Sequence, residues 1–418
     1  MSLLLTGART VATPRGTRAA AGPAQAAVEV TPGAVVRCEG PAVVFVGDRA
    51  EHDRLFPPPD ELLDAHDGTI LPGFVDPHTH LPFAGYREGE FDRRLRGESY
   101  AEIAAAGGGI VATVAATRAA SEDELLALTL ARLDRQLLAG TTTTEAKSGY
   151  GLERDAELKQ LRVLKEANRR HPVEIAATAM PAHEVPPEWR GDPEGYVALV
   201  VDEIYPAVAA AHLAESADVF CETGVFSVEQ SRRLLEAARG HGWRLHVHAD
   251  ELSPLGGAEL AAEVGAAAAS HLLHASPAGV AAMAARGVVA IALPGVSFFL
   301  RERFAPVRAL IDAGVPVAVA TDCNPGSSHT ESMACIIALA CLGAGLSTEE
   351  ALVAATLNAA AALGRADRLG TVEPGKQADL VVLDAPSPAH LVYHFGVNLV
   401  RHVVKAGRAV VRDGTLTP

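Results

Sequence analysis

Eight apolar, β-rich runs between residues 70 and 322 constrain the fold of this chain more than any other feature of its sequence. Most of the runs are followed by a segment with helical spacing, and Ser121 and Ser227 have the side-chain chemistry that begins such helices. Buried strands that alternate with helices predict a parallel sheet, which is either closed as a barrel or open and doubly wound. The runs are residues 70–75, 141–146, 173–180, 217–221, 243–247, 267–270, 288–293 and 315–320.

Polar and titratable side chains follow seven of the eight runs, and their distribution decides between the two folds. A doubly wound sheet concentrates its chemistry at one switch point, whereas a barrel assembles its active site from the carboxyl ends of many strands. We therefore predict an α/β fold with a (β/α)₈ TIM-like barrel. In chain order, the residues that follow the seven runs are His78 and His80, Lys147 and Tyr150, His183, Glu222, His248 and Glu251, His271, and Asp322.

Short strand patterns outside the barrel occur near both ends of the chain. They lie at residues 34–37, 42–46, 378–383, 399–405 and 409–411. Because the two ends flank the barrel, we expect them to build one small, β-sandwich-like domain together. The predicted division is a composite β domain of residues 1–68 and 372–418 and a metal-dependent hydrolase barrel of residues 69–371.

The charge and the cysteine content limit the partners of this chain. Its formal net charge of −15 at pH 7 disfavours binding to nucleic acid or to an anionic membrane surface. Its apolar runs are far shorter than the roughly 20 residues that span a bilayer, and residues 1–5 lack the basic start of a secretory signal. The five cysteines include no Cys-x-x-Cys pair, which fits a reducing compartment. We therefore predict a cytoplasmic protein. The sequence leaves the oligomeric state open, and a homodimer is compatible with it.

Four residues at the strand ends have the chemistry of metal ligands. His78 and His80 alternate at the end of one strand, so both imidazoles can face the barrel mouth. His248 lies nearer to the mouth than His246, and we expect His246 to be a hydrogen-bonded core residue. Asp322 follows the last strand and adds an anionic oxygen. A site with three histidines and one carboxylate suits Zn²⁺ or Fe and can leave a position for water.

Longer sequence strings around these residues resemble the amidohydrolase superfamily. The string from Pro72 reads PGFVDPHTH and continues as LPFAGYR to Arg87. Three further strings are EAKSGYGL from Glu145, HADE from His248 and TDCNPGSS from Thr321. As a set, these strings are similar to the branch of the superfamily that opens the ring of 4-imidazolone-5-propanoate in histidine degradation. The similarity extends over nearly the whole chain.

This resemblance implies a hydrolase for a small-molecule substrate. The implied reaction breaks the ring C–N bond of that substrate with a metal-activated water and forms N-formimidoyl-L-glutamate. One Zn²⁺ or Fe ion per chain is implied, with His78, His80, His248 and Asp322 as its ligands. The implied catalytic residues are Glu251, His271 and Asp322. The implied substrate contacts are Arg87, Tyr150, His183, Glu251, Asn324, Gly326 and Ser327.

Two residues depart from the pattern of this branch, and two alternative functions stay open. Ser270 stands before His271 where the branch usually has Asp, and Cys323 stands where we expect a bulkier apolar residue. The alternatives are a ring deaminase of the same superfamily and a non-catalytic metal-binding barrel. Arg87 and residues 324–327 favour an acid-bearing substrate over a nucleobase, and the complete set of ligands favours catalysis.

Overall fold

A parallel sheet of eight strands organises the computed structural model, which describes residues 2–98, 102 and 107–417. Neighbouring strands of this sheet are consecutive in the chain, and every pair is parallel. The predicted (β/α)₈ barrel is therefore confirmed. Strands β1 to β8 are Phe74–Asp76, Thr141–Lys147, Glu174–Ala182, Ser216–Cys221, Arg244–Ala249, Ala268–His271, Val289–Ala292 and Val317–Val319.

Backbone contacts close the barrel just beyond the ends of β1 and β8. Thr79 forms a parallel bridge with Cys323. The His80 N–H donates to the Cys323 carbonyl at 3.1 Å, and the Asp322 N–H donates to the His78 carbonyl at 3.0 Å. The first and last strands thus meet at the level of the candidate metal ligands, and these residues are part of the closure itself.

Helices alternate with the strands and surround the barrel. Ser121, Ser227 and Ser347 each begin a helix with a capping box, in which the serine accepts a backbone N–H and a Glu or Gln side chain bonds back. The helices that begin at Ser121 and Ser227 confirm the helix starts predicted from the sequence. Among the described residues, no helix is both long and apolar enough to cross a membrane. Within the described ranges, the α-helices include Arg49–Leu55, Glu88–Leu95, Ile110–Ala119, Glu122–Leu138, Arg154–Arg170, Pro193–Leu199, Tyr205–Ala210, Val228–Gly240, Gly257–Glu263, Pro277–Arg286, Pro294–Leu300, Val307–Asp312, Met333–Leu342, Thr348–Ala354, Leu357–Ala362 and His390–Tyr393.

Apolar side chains fill the barrel at the end opposite to the histidines. Val75, Ile291 and Ala318 pack there with Leu357 and Leu363, and each of the five is at most 2% exposed. Burial of one such Leu or Ile side chain contributes roughly 1.5–3 kcal/mol. This packed base leaves the carboxyl ends of the strands as the open mouth of the barrel.

Two further sheets are built from the two ends of the chain. The four-stranded sheet has the order Ala42–Gly47, Val35–Glu39, Ser2–Thr6 and Glu61–Asp64. The seven-stranded sheet has the order Thr415–Leu416, Arg408–Arg412, Val400–Lys405, Leu380–Leu383, Thr69–Pro72, Thr10–Thr13 and Glu29–Pro32. The strand patterns predicted near both chain ends all lie in these sheets, while the division into two domains stays a prediction.

The first predicted barrel run, residues 70–75, is two strands rather than one. Thr69–Pro72 pairs with Leu380–Leu383 in the seven-stranded sheet, and β1 begins only after Gly73. A Cβ atom on Gly73 would collide with the Thr142 side chain, so this close approach requires glycine. Both strands are buried, and the apolar pattern is therefore continuous across the point where the chain passes from one sheet to the other.

Candidate active site

Two histidines and one aspartate converge where the barrel closes. His78 and His80 follow β1, and Asp322 follows β8. The Asp322 Oδ1 atom lies 3.5 Å from His78 Nε2 and 3.3 Å from His80 Nε2. One ligand atom of each residue lies within 4.8 Å of the other two, which is close enough for one ion to contact all three. The structure thus brings together three of the four predicted ligands.

His248 and His271 face the same point from β5 and β6. The ring centroid of His248 lies 4.5 Å from that of His78 and 5.6 Å from that of His80. The His271 ring lies 5.2 Å from the His248 ring. His78, His248 and His271 each offer a ring nitrogen within 4.8 Å of the others. The fourth predicted ligand therefore joins the first three, and His271 stands directly beside them.

The unpartnered polar atoms at this point match what a divalent metal ion needs. His78 Nε2, His248 Nε2 and Asp322 Oδ1 are buried and have no hydrogen-bond partner among the described residues. Leaving such an atom unsatisfied costs roughly 1–3 kcal/mol. The opposite ring nitrogens are bound, since His78 Nδ1 lies 2.8 Å from Ser270 Oγ and His248 Nδ1 lies 3.0 Å from Asp218 Oδ1. The residues present therefore fit a metal ion.

The surroundings of His78, His80 and His271 keep these three rings neutral. Burial is the main cause, and it lowers the pKa of His78 and His80 well below the ordinary value of 6.5. Burial, followed by the charge of His248, lowers the pKa of His271 to about 3. Only a neutral imidazole offers a free lone pair to a metal ion. These rings are therefore in the protonation state that a metal site requires.

Glu251 and His271, two of the predicted catalytic residues, lie against each other beside the ligands. His271 Nδ1 lies 3.5 Å from Glu251 Oε1. Burial, and then the charges of Asp322 and Glu222, raise the pKa of Glu251 to about 8. A carboxyl group with a pKa near neutrality can both accept and release a proton. The pair therefore has the arrangement of an acid–base group.

His271 and Asp322 have backbone conformations that residues other than glycine rarely adopt. Their φ angles are 72° and 48°, in the left-handed region. Such conformations cost of order 1–3 kcal/mol and persist where the surrounding structure enforces them, often at functional sites. Both residues lie where the chain leaves a barrel strand, and the turn there brings their side chains to the site.

Arg87 lies across the mouth between the segments that follow β1 and β8. Its Nε donates to Glu90 Oε2 at 2.9 Å, and the Glu90 carboxylate also accepts the Gly109 N–H at 3.1 Å. The guanidinium lies over Gly326, where a Cβ atom would collide with Arg87 Nη1. Two predicted substrate contacts, Arg87 and Gly326, are therefore neighbours. No role for Glu90 was predicted from the sequence, although it lies one helical turn beyond Arg87.

The Asn324 side chain shapes the loop after β8. Its amide nitrogen donates to the Asp322 carbonyl at 2.7 Å. Its Oδ1 accepts the backbone N–H groups of Gly326 at 2.8 Å and Ser327 at 2.9 Å. The three predicted contacts Asn324, Gly326 and Ser327 thus lie in one loop, and Asn324 acts there through the conformation of that loop.

Tyr150 and His183 line one side of the mouth. Their ring centroids are 5.2 Å apart, and the His183 ring stacks on His80 at 4.8 Å. His183 Nδ1 lies 3.0 Å from the Gly149 carbonyl oxygen. A carbonyl oxygen can only accept, so Nδ1 carries the proton of the neutral ring and Nε2 is left as an acceptor. Burial keeps the ring neutral, since it lowers the pKa of His183 well below 6.5.

Comparison with known proteins agrees with this geometry. The sequence matches the amidohydrolase family over residues 69–410. The imidazolonepropionase of Geobacillus kaustophilus (strain HTA426) is 54% identical over 354 residues, which are 85% of this chain and 84% of that protein. The imidazolonepropionase of Symbiobacterium thermophilum is 52% identical over 389 residues, which are 92% of each chain. The chain belongs to the imidazolonepropionase family of amidohydrolases. Membership confirms the resemblance inferred from the sequence strings and the prediction of a hydrolase.

The imidazolonepropionase family shares its fold with other enzymes. A solved structure of an adenosine deaminase from Xanthomonas campestris, with bound zinc, has a TM-score of 0.76 to this chain and 22% sequence identity. The match covers 99% of this chain and 94% of that chain. At this identity the likeness shows the fold alone. It is the high identity to the imidazolonepropionases that separates this chain from the deaminases.

Three residues near the strand ends of this imidazolonepropionase-family chain do not reach the candidate metal site. Lys147 Nζ lies 2.8 Å from Glu145 Oε1, and Glu222 accepts the Leu252 N–H at 2.8 Å. His246 is buried as predicted. However, the expected hydrogen bond is absent, because neither of its ring nitrogens has a partner in the described part of the chain.

Asp218 and Ser270 contact candidate ligands, although neither was predicted from the sequence to belong to the site. Asp218 lies within β4, in the sequence SADVFC, and a charged residue inside a buried strand is the signal that could have identified it. Ser270 was noted only as a departure next to His271. The structure instead places its hydroxyl on His78, at 2.8 Å from Nδ1.

Proposed function

We propose that this chain hydrolyses 4-imidazolone-5-propanoate to N-formimidoyl-L-glutamate in histidine degradation. The observation that carries the proposal is the 52% identity, over 92% of both chains, to an enzyme named imidazolonepropionase. The reaction adds one water to the substrate. The ring carbonyl carbon gains the water oxygen and becomes a carboxylate, and the ring nitrogen leaves it with a proton.

We propose that one Zn²⁺ or Fe ion per chain is held by His78, His80, His248 and Asp322. The unpartnered atoms of His78, His248 and Asp322 support this ligand set, and His80 Nε2 lies 3.3 Å from Asp322 Oδ1. The zinc in the similarly folded adenosine deaminase supports Zn²⁺. Such an ion, when bound, polarises a carbonyl oxygen and makes a water acidic enough to react near neutral pH. Side chains of this protein carry out the remaining steps.

Arg87 binds the propanoate group in this proposal. It carries a guanidinium at the mouth, and this group pairs with carboxylates in two-point geometry. Tyr150 and His183 hold the ring from one side, and the acceptor Nε2 of His183 suits a ring N–H of the substrate. The loop of Asn324, Gly326 and Ser327 faces the same space and contacts the acid-bearing part of the substrate or product.

Glu251 moves the proton in this proposal. Its pKa of about 8 lets it take a proton from the attacking water and return it to the departing ring nitrogen. Asp322 is the second candidate for this role, because it also lies at the reacting centre. His271, 3.5 Å from Glu251, is neutral and carries one N–H, which is placed to donate to the developing oxyanion.

Product analysis tests the proposed function against the ring deaminase. The purified chain, supplied with 4-imidazolone-5-propanoate, is expected to form formimidoylglutamate in equal amount to the substrate consumed, with no ammonia. Mass spectrometry of the product and an ammonia assay on the same sample make the distinction. Ammonia release without formimidoylglutamate would support the deaminase, and absence of any turnover in metal-loaded protein would support the non-catalytic barrel.

A further inference from the structure

Three buried charged residues lie beneath the candidate metal site and have no role in the proposed chemistry. Glu145 and Lys147 lie on β2 and Asp218 lies on β4, and their side chains are all 0% exposed. Lys147 Nζ lies 2.8 Å from Glu145 Oε1 and 3.1 Å from Asp218 Oδ2. Taking even one charge out of water costs several kcal/mol. We refer to these three residues as the charged triad.

One end of the charged triad contacts a candidate metal ligand. Asp218 Oδ1 lies 3.0 Å from His248 Nδ1. A carboxylate can only accept, so it keeps the proton of His248 on Nδ1 and leaves the Nε2 lone pair for an ion. Lys147 forms an ion pair with the second carboxylate oxygen, and this attraction favours the observed orientation of Asp218. His78 differs, because its Nδ1 meets the uncharged Ser270 hydroxyl.

The other end of the charged triad contacts the segment that follows β1. The Glu145 carboxylate accepts the Thr79 N–H at 3.0 Å, and the Glu145 carbonyl accepts the Thr79 hydroxyl at 2.6 Å. The Lys147 N–H donates to the Thr79 carbonyl at 3.0 Å. Thr79 lies between His78 and His80, so these bonds hold the two histidines in place from below.

We propose that Asp218, held by Lys147, is a positioning residue for the metal ligand His248. The charged triad then couples this ligand to the segment that carries His78 and His80. The inference rests on the proposed function, because it takes these histidines as ligands. The triad also sets two carboxyl groups against one ammonium group beneath the candidate metal site. Partners of this kind typically contribute about 10–100-fold to metal affinity.

The Zn²⁺ affinity of the metal-free chain, measured by competition with a chromogenic chelator, tests this proposal. Asp218→Asn is expected to weaken Zn²⁺ binding about 10–100-fold. It should also change the visible absorption spectrum of the Co²⁺-loaded chain, which reports the geometry of the ligands. A role in folding alone would lower the melting temperature without changing that spectrum.

Two control variants distinguish a positioning role of Asp218 from an effect of its charge and from an effect on protein stability. Glu145→Gln removes one negative charge from the same triad but leaves the contact between Asp218 and His248, so its Zn²⁺ affinity should fall less and its Co²⁺ spectrum should stay unchanged. Asp379→Asn breaks a buried ion pair with Lys405, 2.6 Å long, in the seven-stranded sheet. It should lower the melting temperature and leave the Zn²⁺ affinity unchanged.

The possible results distinguish a failure of the positioning role from a failure of the proposed function. Unchanged Zn²⁺ affinity in Asp218→Asn, or a loss equal to that of Glu145→Gln with an unchanged Co²⁺ spectrum, overturns the positioning role alone. Failure of the unmodified chain to bind either ion overturns the proposed function as well. If Asp218→Asn does not fold, a triple variant that combines Asp218→Asn, Glu145→Gln and Lys147→Met replaces it. This variant carries no charge in the triad, and the same loss of Zn²⁺ affinity is expected.

Discussion

Arg87 and Glu90 form an ion pair at the mouth of the barrel, in which Nε and Nη2 of the arginine both lie 2.9 Å from Oε2 of the glutamate. The pair is largely buried, with side-chain exposures of 15% and 18%. Nη1 of Arg87 lies instead beside Gly326. The guanidinium therefore has one edge held by Glu90 and another edge near the loop after β8, where a substrate carboxylate can reach it.

We expect Arg87→Ala to raise KM for the propanoate substrate by roughly 10- to 100-fold, because a charge-assisted pair contributes about 1.5–3 kcal/mol. The clamp binds substrate and transition state alike, so kcat should change little. Steady-state kinetics measure both. Glu90→Gln is the matched control, since it retains Arg87 and removes only its charged partner, and it should change KM much less. A normal KM in Arg87→Ala would mean that another group binds the propanoate.

Gly326→Ala should also raise KM, by less than Arg87→Ala does. The added methyl group overlaps Arg87 Nη1, and the flexible end of the arginine has to move away. The melting temperature should stay close to normal for the same reason. In the Arg87→Ala background the Gly326→Ala change should have no further effect on KM, and this double-mutant cycle measures the coupling. Two independent, additive effects would contradict the contact.

Glu251→Gln and His271→Ala should each lower kcat by about 10²–10⁴-fold, the usual contribution of a placed proton-transfer group. Metal content should stay near one ion per chain in both variants. His248→Ala should instead lose metal and activity together. Metal content, melting temperature and kcat need to be measured on the same preparations, because His271 also offers a nitrogen within 4.8 Å of His78 and His248. Near-normal kcat in a folded Glu251→Gln enzyme would remove Glu251 from the mechanism, and metal loss in His271→Ala would make it a ligand.

Removal of the metal with a chelator should abolish turnover, and one equivalent of Zn²⁺ or Fe per chain should restore it. A second tightly held ion is not expected, because the side chains that could bridge one are engaged elsewhere. Lys147 is held by Glu145 and Asp218, and Glu222 accepts the Leu252 N–H. Elemental analysis of the purified chain checks the stoichiometry. Two tightly bound ions per chain would contradict the single site.

Glu174→Gln should destabilise the protein at neutral pH but not in acid. Burial alone would raise the pKa of Glu174, but Arg368, Lys405 and Arg365 outweigh it and lower the pKa from 4.5 to about 2. A carboxylate with a lowered pKa in the folded state stabilises the fold above its unfolded pKa, and this stabilisation is lost as pH falls from about 4.5 towards 2.

Urea unfolding at several pH values measures this effect, which is on the order of 3 kcal/mol at neutral pH. The difference between the unmodified chain and Glu174→Gln should shrink as the pH falls below 4.5. Glu166→Gln is the control, because Glu166 pairs with Arg169 and Arg170 at the surface, where solvent screens the charges. A difference that persists unchanged at low pH would show that Glu174 acts through packing rather than charge.

The strands of the barrel were predictable because each one is an apolar run, and seven of the eight runs are followed by a polar residue. The positions of His78, His80, His248 and Asp322 follow from this pattern, since the carboxyl ends of parallel strands meet at one mouth. Side-chain contacts within the barrel mouth depend on distances between residues, and the sequence pattern does not contain these distances. For the same reason, the sequence suggested Arg87 as a substrate clamp but not the pair it forms with Glu90.

The contact between Asp218 and His248 shows why the contacts around the candidate ligands could not be predicted from the sequence. Strand register pairs Asp218 with His246 and Phe220 with His248, so the carboxylate reaches its histidine diagonally across two strands. A shift of register would have placed Asp218 against another side chain, and the sequence does not contain the register. The division of the first run at Gly73 could not be predicted for a different reason. The strands on both sides of Gly73 are buried, so the apolar pattern continues across it.

The closure of the barrel has a consequence for how the protein is made. His78 and Asp322 are separated by most of the chain, and the backbone bond between them forms only when the last barrel strand takes its place beside the first. A growing chain that ends before residue 317 has the early histidines but neither Asp322 nor the bonds that fix their backbone. With the proposed ligand set, such a chain lacks one of the four ligands, so the complete site forms only after the last barrel strand is in place.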